Sequence, residues 1–214
     1  MKGNNSGSHP GEERYISDDL LEKMGKGSVW GLDYYGRLQA AALAERTIYL
    51  GGEIYVVDSE TMARELKWLA LLSKEPILIM VSSPGGLVLP GLALYDEIRH
   101  TRSQGIEVVM RVSGHAASMA VIVLQAATTR EAYPNSRLLI HEISQFKFFS
   151  EDKTSDLEEQ VEEMKKLQAV LLGILSERSG KSREEIDKLI WKRDIWFSAE
   201  EALEFGLIDR IVGV

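Results

Sequence analysis

Two residues, Ser118 and His141, and one run, Ser83-Pro84-Gly85-Gly86, hold the chemistry that can be argued from this 214-residue chain. There is no cysteine, which excludes thiol nucleophiles, disulfides, zinc ribbons and iron–sulfur clusters and leaves Ser, Thr or Lys for any covalent mechanism. A serine needs a general base within hydrogen-bond reach. Of the four histidines, His9 lies in a polar N-terminal stretch and His100 near the polar end of a helical pattern, which leaves His115 and His141. His141 ends the apolar run Leu138-Leu139-Ile140 and precedes Glu142. That places it at the carboxyl end of a strand, where catalytic groups gather in open α/β sheets.

Ser118 sits in Ser113-Gly114-His115-Ala116-Ala117-Ser118-Met119-Ala120, where small residues after a strand permit a tight turn and then a helix through Val121-Ile122-Val123-Leu124. A serine at a helix N-terminus meets free N–H groups that favour the negative charge an attacked carbonyl develops. The spacing is not the Gly-x-Ser-x-Gly elbow, because Gly114 stands four residues before the serine. Taken alone, small residues around a serine mean close helix packing. The run Ser83-Pro84-Gly85-Gly86 reads as a loop between the strand Ile77–Val81 and a helix from Leu87. Its paired glycines let backbone N–H groups approach a ligand, as an oxyanion hole or a peptide-binding loop would require. As a phosphate loop it is weak, since no Gly-x-x-x-x-Gly-Lys-Ser/Thr pattern is present, and taken alone the run reads equally well as a plain turn.

The elements that must position these groups alternate. Runs rich in β-branched residues at Thr47–Leu50, Ile77–Val81, Ile106–Met110 and Arg137–Ile140 are separated by helical patterns at Ser59–Ser73, Leu87–Arg102 and Ala116–Ala126. This rhythm predicts an α/β fold of largely parallel strands, with helices on both sheet faces or stacked turns of a spiral. From Asp156 to Arg178 apolar residues recur at Leu157, Val161, Met164, Leu167, Leu171, Ile174 and Leu175. That spacing predicts one long helix, about residues 155–179, either covering the core or projecting toward another subunit. Gly180-Lys181-Ser182 stops it, and Glu184–Trp191 starts a shorter one. Residues 1–30 read as a mobile arm and 31–214 as one domain. The arm has no apolar h-region, so a cytoplasmic address is expected. The uncharged stretches Pro76–Tyr95 and Val112–Thr129 are too interrupted by polar residues and glycines to span a bilayer. A net charge of −8 argues against nucleic acid or anionic lipid as the main partner.

Six ordered segments make the pattern specific: Asp33-Tyr34-Tyr35-Gly36-Arg37-Leu38, Arg46-Thr47-Ile48-Tyr49-Leu50, Ser82-Ser83-Pro84-Gly85-Gly86, Gly114-His115-Ala116-Ala117-Ser118-Met119, Pro134 through His141, and Arg193-Asp194-Ile195-Trp196-Phe197-Ser198-Ala199-Glu200-Glu201-Ala202 through Asp209. Together they resemble the proteolytic subunit of the Clp protease, a serine peptidase family with the crotonase-like ClpP fold, from about Asp33 to Val212. The resemblance implies Ser118 as nucleophile, His141 as base, Asp194 as the acid that orients it, and Gly86 and Met119 N–H groups as the oxyanion hole. Without it, Asp194 among Lys192, Arg193 and Trp196 reads as a surface ion pair, and His115 remains a rival base that helix-start geometry points away. It further implies a homo-oligomeric chamber of stacked seven-membered rings interlocked by the long helix. An ATP-driven AAA+ unfoldase would feed unfolded polypeptides into that chamber, and the chain itself would need neither cofactor nor metal.

The chain departs from the family at Glu142-Ile143-Ser144-Gln145-Phe146-Lys147-Phe148-Phe149, where a glutamine, a proline and a glycine-rich strand usually follow the histidine. It departs also at Leu78 and Met80, where tyrosines usually stand, and over Met1–Trp30. A divergent member with its own partner is the expectation. Two readings compete with it: a crotonase-like enzyme that stabilises a thioester enolate, and a catalytically silent ring subunit.

Overall fold

The computed structural model describes residues 34–143 and 154–213. The arm, with its short helical pattern at Ser17–Met24, and the run Ser144–Phe149 lie outside them. Packing divides the chain after Thr47. In the first unit, helix α1 (Tyr34–Ala44) buries none of its residues, and the rings of Tyr34 and Tyr35 meet edge to face, 5.6 Å between centroids. This helix carries no clear amphipathic stripe, so the sequence pattern does not mark it.

From there the chain runs β1 (Thr47–Ile54), α2 (Val56–Leu72), β2 (Ile77–Gly86), α3 (Val88–Ser103), β3 (Val108–Ala117), α4 (Met119–Leu124), β4 (Thr129–Ala132) and β5 (Arg137–Ile140). It continues with α5 (Thr154–Ser179), α6 (Arg183–Ile190), β6 (Ile195–Phe197), α7 (Ala199–Phe205) and β7 (Arg210–Ile211). The strands form one sheet in the order β1-β2-β3-β4-β7, and β5 and β6 branch from it. All pairings from β2 onward are parallel except β5 with β6.

The branch point is β3. Its first half, Val109–Val112, pairs with β4, and its last residues, His115–Ala117, pair with β5. The Val112 carbonyl holds the fork by accepting both the Tyr133 N–H at 3.0 Å and the Ser136 hydroxyl at 2.9 Å. Ile77, Ile79 and Val81 of β2 and Val108, Met110 and Val112 of β3 are buried on one face, and Met62, Leu66 and Leu69 of α2 and Leu94 and Ile98 of α3 are buried as well; α4 packs on both strands. The alternate residues Leu78, Met80 and Val109 stay half-buried. The second face of these strands is thus apolar in sequence and only partly covered within the chain, as in a spiral rather than a sheet closed by helices on both sides.

Helix α5 is 26 residues long, about 39 Å. Leu167, Leu172, Ile174 and Leu175 in its C-terminal half are buried, whereas Val161 and Val170 are exposed. The helix therefore docks by one end. Helices α6 and α7 begin with reciprocal caps, Ser182 with Glu185 and Ser198 with Glu201, and α7 ends on Gly206 at φ 90°.

A buried charge network ties β4 to the C-terminal strand. Arg130 donates to Asp209 from both its main chain (2.7 Å) and its guanidinium, and also to Gln125 Oε1 (2.6 Å) and the Gly206 carbonyl (2.7 Å). Beside it the fully buried Glu131 carboxylate accepts from Arg111 and Arg210. Burial pushes the Asp209 carboxyl up, but the Arg130 hydrogen bonds and the Arg130 and Arg178 charges outweigh it and hold the group below the usual carboxylate range. A depressed folded-state value means stabilisation present near neutrality and lost as pH falls through that value. Asp209→Asn is expected to cost about 2 kcal/mol at pH 7, at the low end for a buried pair because Asp209 is partly solvated. The check is denaturant unfolding of both proteins, with the difference shrinking below about pH 4.

Candidate active site

The run Ser83-Pro84-Gly85-Gly86 is the end of β2, not a loop. The β2–β3 register shifts between Val81 and Ser83, so that Ser83 pairs with Ala116. This irregularity lets the last residues of β2 run beside the end of β3. Ser83, fully buried, donates its hydroxyl to the Gly52 carbonyl at 2.6 Å and accepts the Gly85 N–H at 3.1 Å. The glycines then pass where no side chain fits. A Cβ on Gly85 would lie 2.6 Å from the Ala117 carbonyl oxygen and 2.8 Å from Ser118 Cβ, and one on Gly86 would lie 2.5 Å from the Ile54 carbonyl oxygen. Gly85 is also at φ 95°, which L-residues rarely adopt.

Ser118 stands between β3 and α4. The helix starts later than the apolar pattern predicts, because Ser113–Ala117 extend β3 before Met119 opens the helix. The serine takes φ 55° and ψ −124°, a strained conformation for a residue with a Cβ that persists only where its surroundings enforce it. Its N–H donates to the Leu139 carbonyl of β5 at 2.9 Å. The next N–H, that of Met119, opens a helix and so has no acceptor within it.

His141 follows the last residue of β5, and its Nε2 lies 2.7 Å from Ser118 Oγ. His115 is placed differently: it is in β3 opposite Arg137, and strand geometry rather than a helix start decides where its ring goes. Asp194 reaches His141 from the other side, Oδ1 3.9 Å from Nδ1, with its side chain 71% exposed. That distance is an ion-pair separation and longer than a hydrogen bond. Its position comes from the antiparallel β5–β6 ladder, in which Ile140 faces Ile195, so His141 and Asp194 are one step beyond the last paired residues. No local signal in the sequence reports this long-range pairing.

Next to the Ser–His pair is a pocket of about 100 Å³. Ile122, Leu171, Leu175 and Ile190 give it apolar walls, and Gly86, Ser118, Met119, His141 and the polar Glu142 and Gln168 line it too. The sequence pattern read Leu171 and Leu175 as one stripe of a packing helix, and α5 indeed supplies one wall with that stripe. Sequence reasoning did not assign the roles of three groups here. Ser83 orders the glycines, Gln168 of α5 accepts the Ile143 N–H at 3.2 Å, and Glu142 accepts the Lys192 N–H at 2.9 Å. Among the described residues no cluster of His, Cys, Asp and Glu could hold a metal ion, and no helix is long and apolar enough to cross a membrane.

Comparison with known proteins places the chain in a family. The Clp protease family model matches residues 32–214. The ATP-dependent Clp protease proteolytic subunit 2 of Frankia casuarinae is 37% identical over 204 residues, covering 93% of this chain and 88% of that protein. Proteolytic subunit 3 of a Synechococcus species is 38% identical over 184 residues, covering 85% and 87%, and proteolytic subunit 2 of Chlamydia pneumoniae is 36% identical over 200 residues, covering 90% and 91%. With a mixed α/β fold, a largely parallel sheet and a family match that runs through both Ser118 and His141 to the C-terminus, the chain belongs to the Clp protease family of serine endopeptidases.

Proposed function

We propose that Ser118 is the nucleophile with which this chain hydrolyses peptide bonds of unfolded polypeptides inside an oligomeric chamber. The observation that carries this reading is the 2.7 Å contact between Ser118 Oγ and His141 Nε2 in the lining of a pocket that has Ile122, Leu171, Leu175 and Ile190 as apolar walls. For Nε2 to accept the hydroxyl proton, the neutral ring carries its proton on Nδ1, the nitrogen facing Asp194. Ser118 Oγ adds to the substrate carbonyl as His141 takes the proton. The tetrahedral oxygen then accepts hydrogen bonds from the Gly86 and Met119 N–H groups, and His141 returns the proton to the leaving amine. Water, activated by the same ring, hydrolyses the acyl-enzyme and regenerates the serine. Asp194 stabilises the charged imidazole, and at 3.9 Å it has to close by about 1 Å to hydrogen-bond Nδ1–H.

The pocket favours an apolar side chain of leucine size on the acyl side of the cleaved bond. Assembly is supported by exposed Trp68, Leu71 and Leu72 on α2 and by Val161 and Val170 on α5, since apolar surface of this kind marks interaction sites. In this reading α5 interlocks two rings, and the particle is cytoplasmic and fed by an ATP-driven unfoldase. The gap at Asp194 is the one feature that favours a silent ring subunit.

A fluorophosphonate is expected to label Ser118, located by mass spectrometry, and labelling is expected to vanish in Ser118→Ala and His141→Ala. Failure to label the assembled wild-type protein would favour the silent subunit. Peptides cut after Leu or Met are expected to exceed those cut after Asp or Lys by about 10- to 100-fold in kcat/KM. Gly85→Ala, which drives a Cβ into the Ala117–Ser118 backbone, is expected to lower turnover by about 100-fold or more, measured on the same peptides.

A further inference from the structure

The β5–β6 ladder ends at Ile140 facing Ile195, so the backbone does not pair His141 with Asp194. One residue further out, the Glu142 carboxylate accepts the Lys192 N–H at 2.9 Å. The His141–Asp194 pair is therefore bracketed, by the ladder on one side and by this bridge on the other. The segment the bridge holds needs holding. Lys192 is at φ 55°, unfavourable for a side-chain-bearing residue, and the Asp194 side chain is 71% exposed. Glu142 is itself anchored, because the next N–H, that of Ile143, donates to Gln168 of α5 at 3.2 Å.

We propose that Glu142 is a positioning residue: by accepting the Lys192 N–H it fixes the turn that presents Asp194 to His141. This rests on the catalytic reading of His141 and Asp194. The role belongs to the acceptor oxygen and not to the charge, since the donor is a main-chain N–H. Glu142→Gln keeps an acceptor of the same reach, and Glu142→Ala removes it. The device couples three elements: α5 through Gln168, the exit of β5 through Glu142, and the turn after α6 through Lys192.

The experiment measures kcat and KM for a fluorogenic peptide on the full-length assembled protein, in wild type, Glu142→Ala, Glu142→Gln, Asp194→Ala and the Glu142→Ala/Asp194→Ala double variant. Glu142→Ala is expected to lose about 10- to 100-fold in kcat with KM within about twofold, as for a misplaced catalytic group. Glu142→Gln is expected to stay within about threefold of wild type. In the Asp194→Ala background, Glu142→Ala is expected to cost less than about twofold, since two groups acting as a unit are not additive. Glu142→Met, which keeps the volume without the acceptor, takes the place of alanine if that variant does not assemble. Equal losses in Ala and Gln, a loss that adds fully to that of Asp194→Ala, a rise in KM alone, or no loss would each overturn the proposal while leaving Ser118 labelled. A wild-type protein that neither hydrolyses peptide nor labels at Ser118 overturns the catalytic reading and the proposal with it.

Discussion

The hydrogen bond from the Ser118 N–H to the Leu139 carbonyl is the interaction on which the site depends. Ser118 occupies a backbone conformation that an L-residue does not adopt unaided, and this bond ties it to β5 just where the chain leaves the sheet. β5 has only four residues, yet it faces β3 along one edge and β6 along the other. Through the first pairing it holds Ser118, through its own end it presents His141, and through the second it brings Asp194 near. A slip of one residue in β5 would turn its side chains to opposite faces and misplace all three groups together.

The surroundings of this strand are built with unequal firmness. On the nucleophile side the backbone is crowded and dry: Ser83 is fully buried, the glycines leave no room for a Cβ, and every residue of α4 is buried. The fork at Val112 holds β4 beside β3, the strand that β5 also pairs with, and the Arg130–Asp209 and Glu131 networks hold β7 beside β4. The acid side is open. Asp194 follows a turn with an exposed Trp191 and a left-handed Lys192, closed by the Arg193 N–H on the Ile190 carbonyl at 3.0 Å and by the bridge from Lys192 to Glu142. In the proposed mechanism, a closely packed Ser118 beside an exposed Asp194 lets activity be set by whatever settles the turn, and Glu142 reaches it.

How much of this was legible follows from the range of each interaction. Ser118 and His141 stand next to strong local patterns, small residues before an apolar helix and an apolar run ending in a polar pair, so their types and placement could be read directly. The strands Ile77–Val81 and Arg137–Ile140 were legible as apolar runs, and the helix of residues 154–179 by its length and steady period. Asp194 was visible only through the family resemblance, because its place depends on an antiparallel pairing between segments more than fifty residues apart. The end of β2 was misread as a loop, since Pro and paired Gly are turn signals and the register shift that keeps them in the sheet is tertiary. The bridges from Glu142 and Gln168 are single contacts between distant elements, and no periodicity or motif announces them.

The most direct test is the structure of the Ser118 adduct with a small fluorophosphonate in the assembled protein. The phosphoryl oxygen is expected to accept both the Gly86 and Met119 N–H groups at about 3 Å, with His141 beside the serine and the organic group directed at the pocket between Ile122 and Leu175. An adduct whose phosphoryl oxygen faces solvent, or modification of some other residue with Ser118 left free, would contradict a site built around β5.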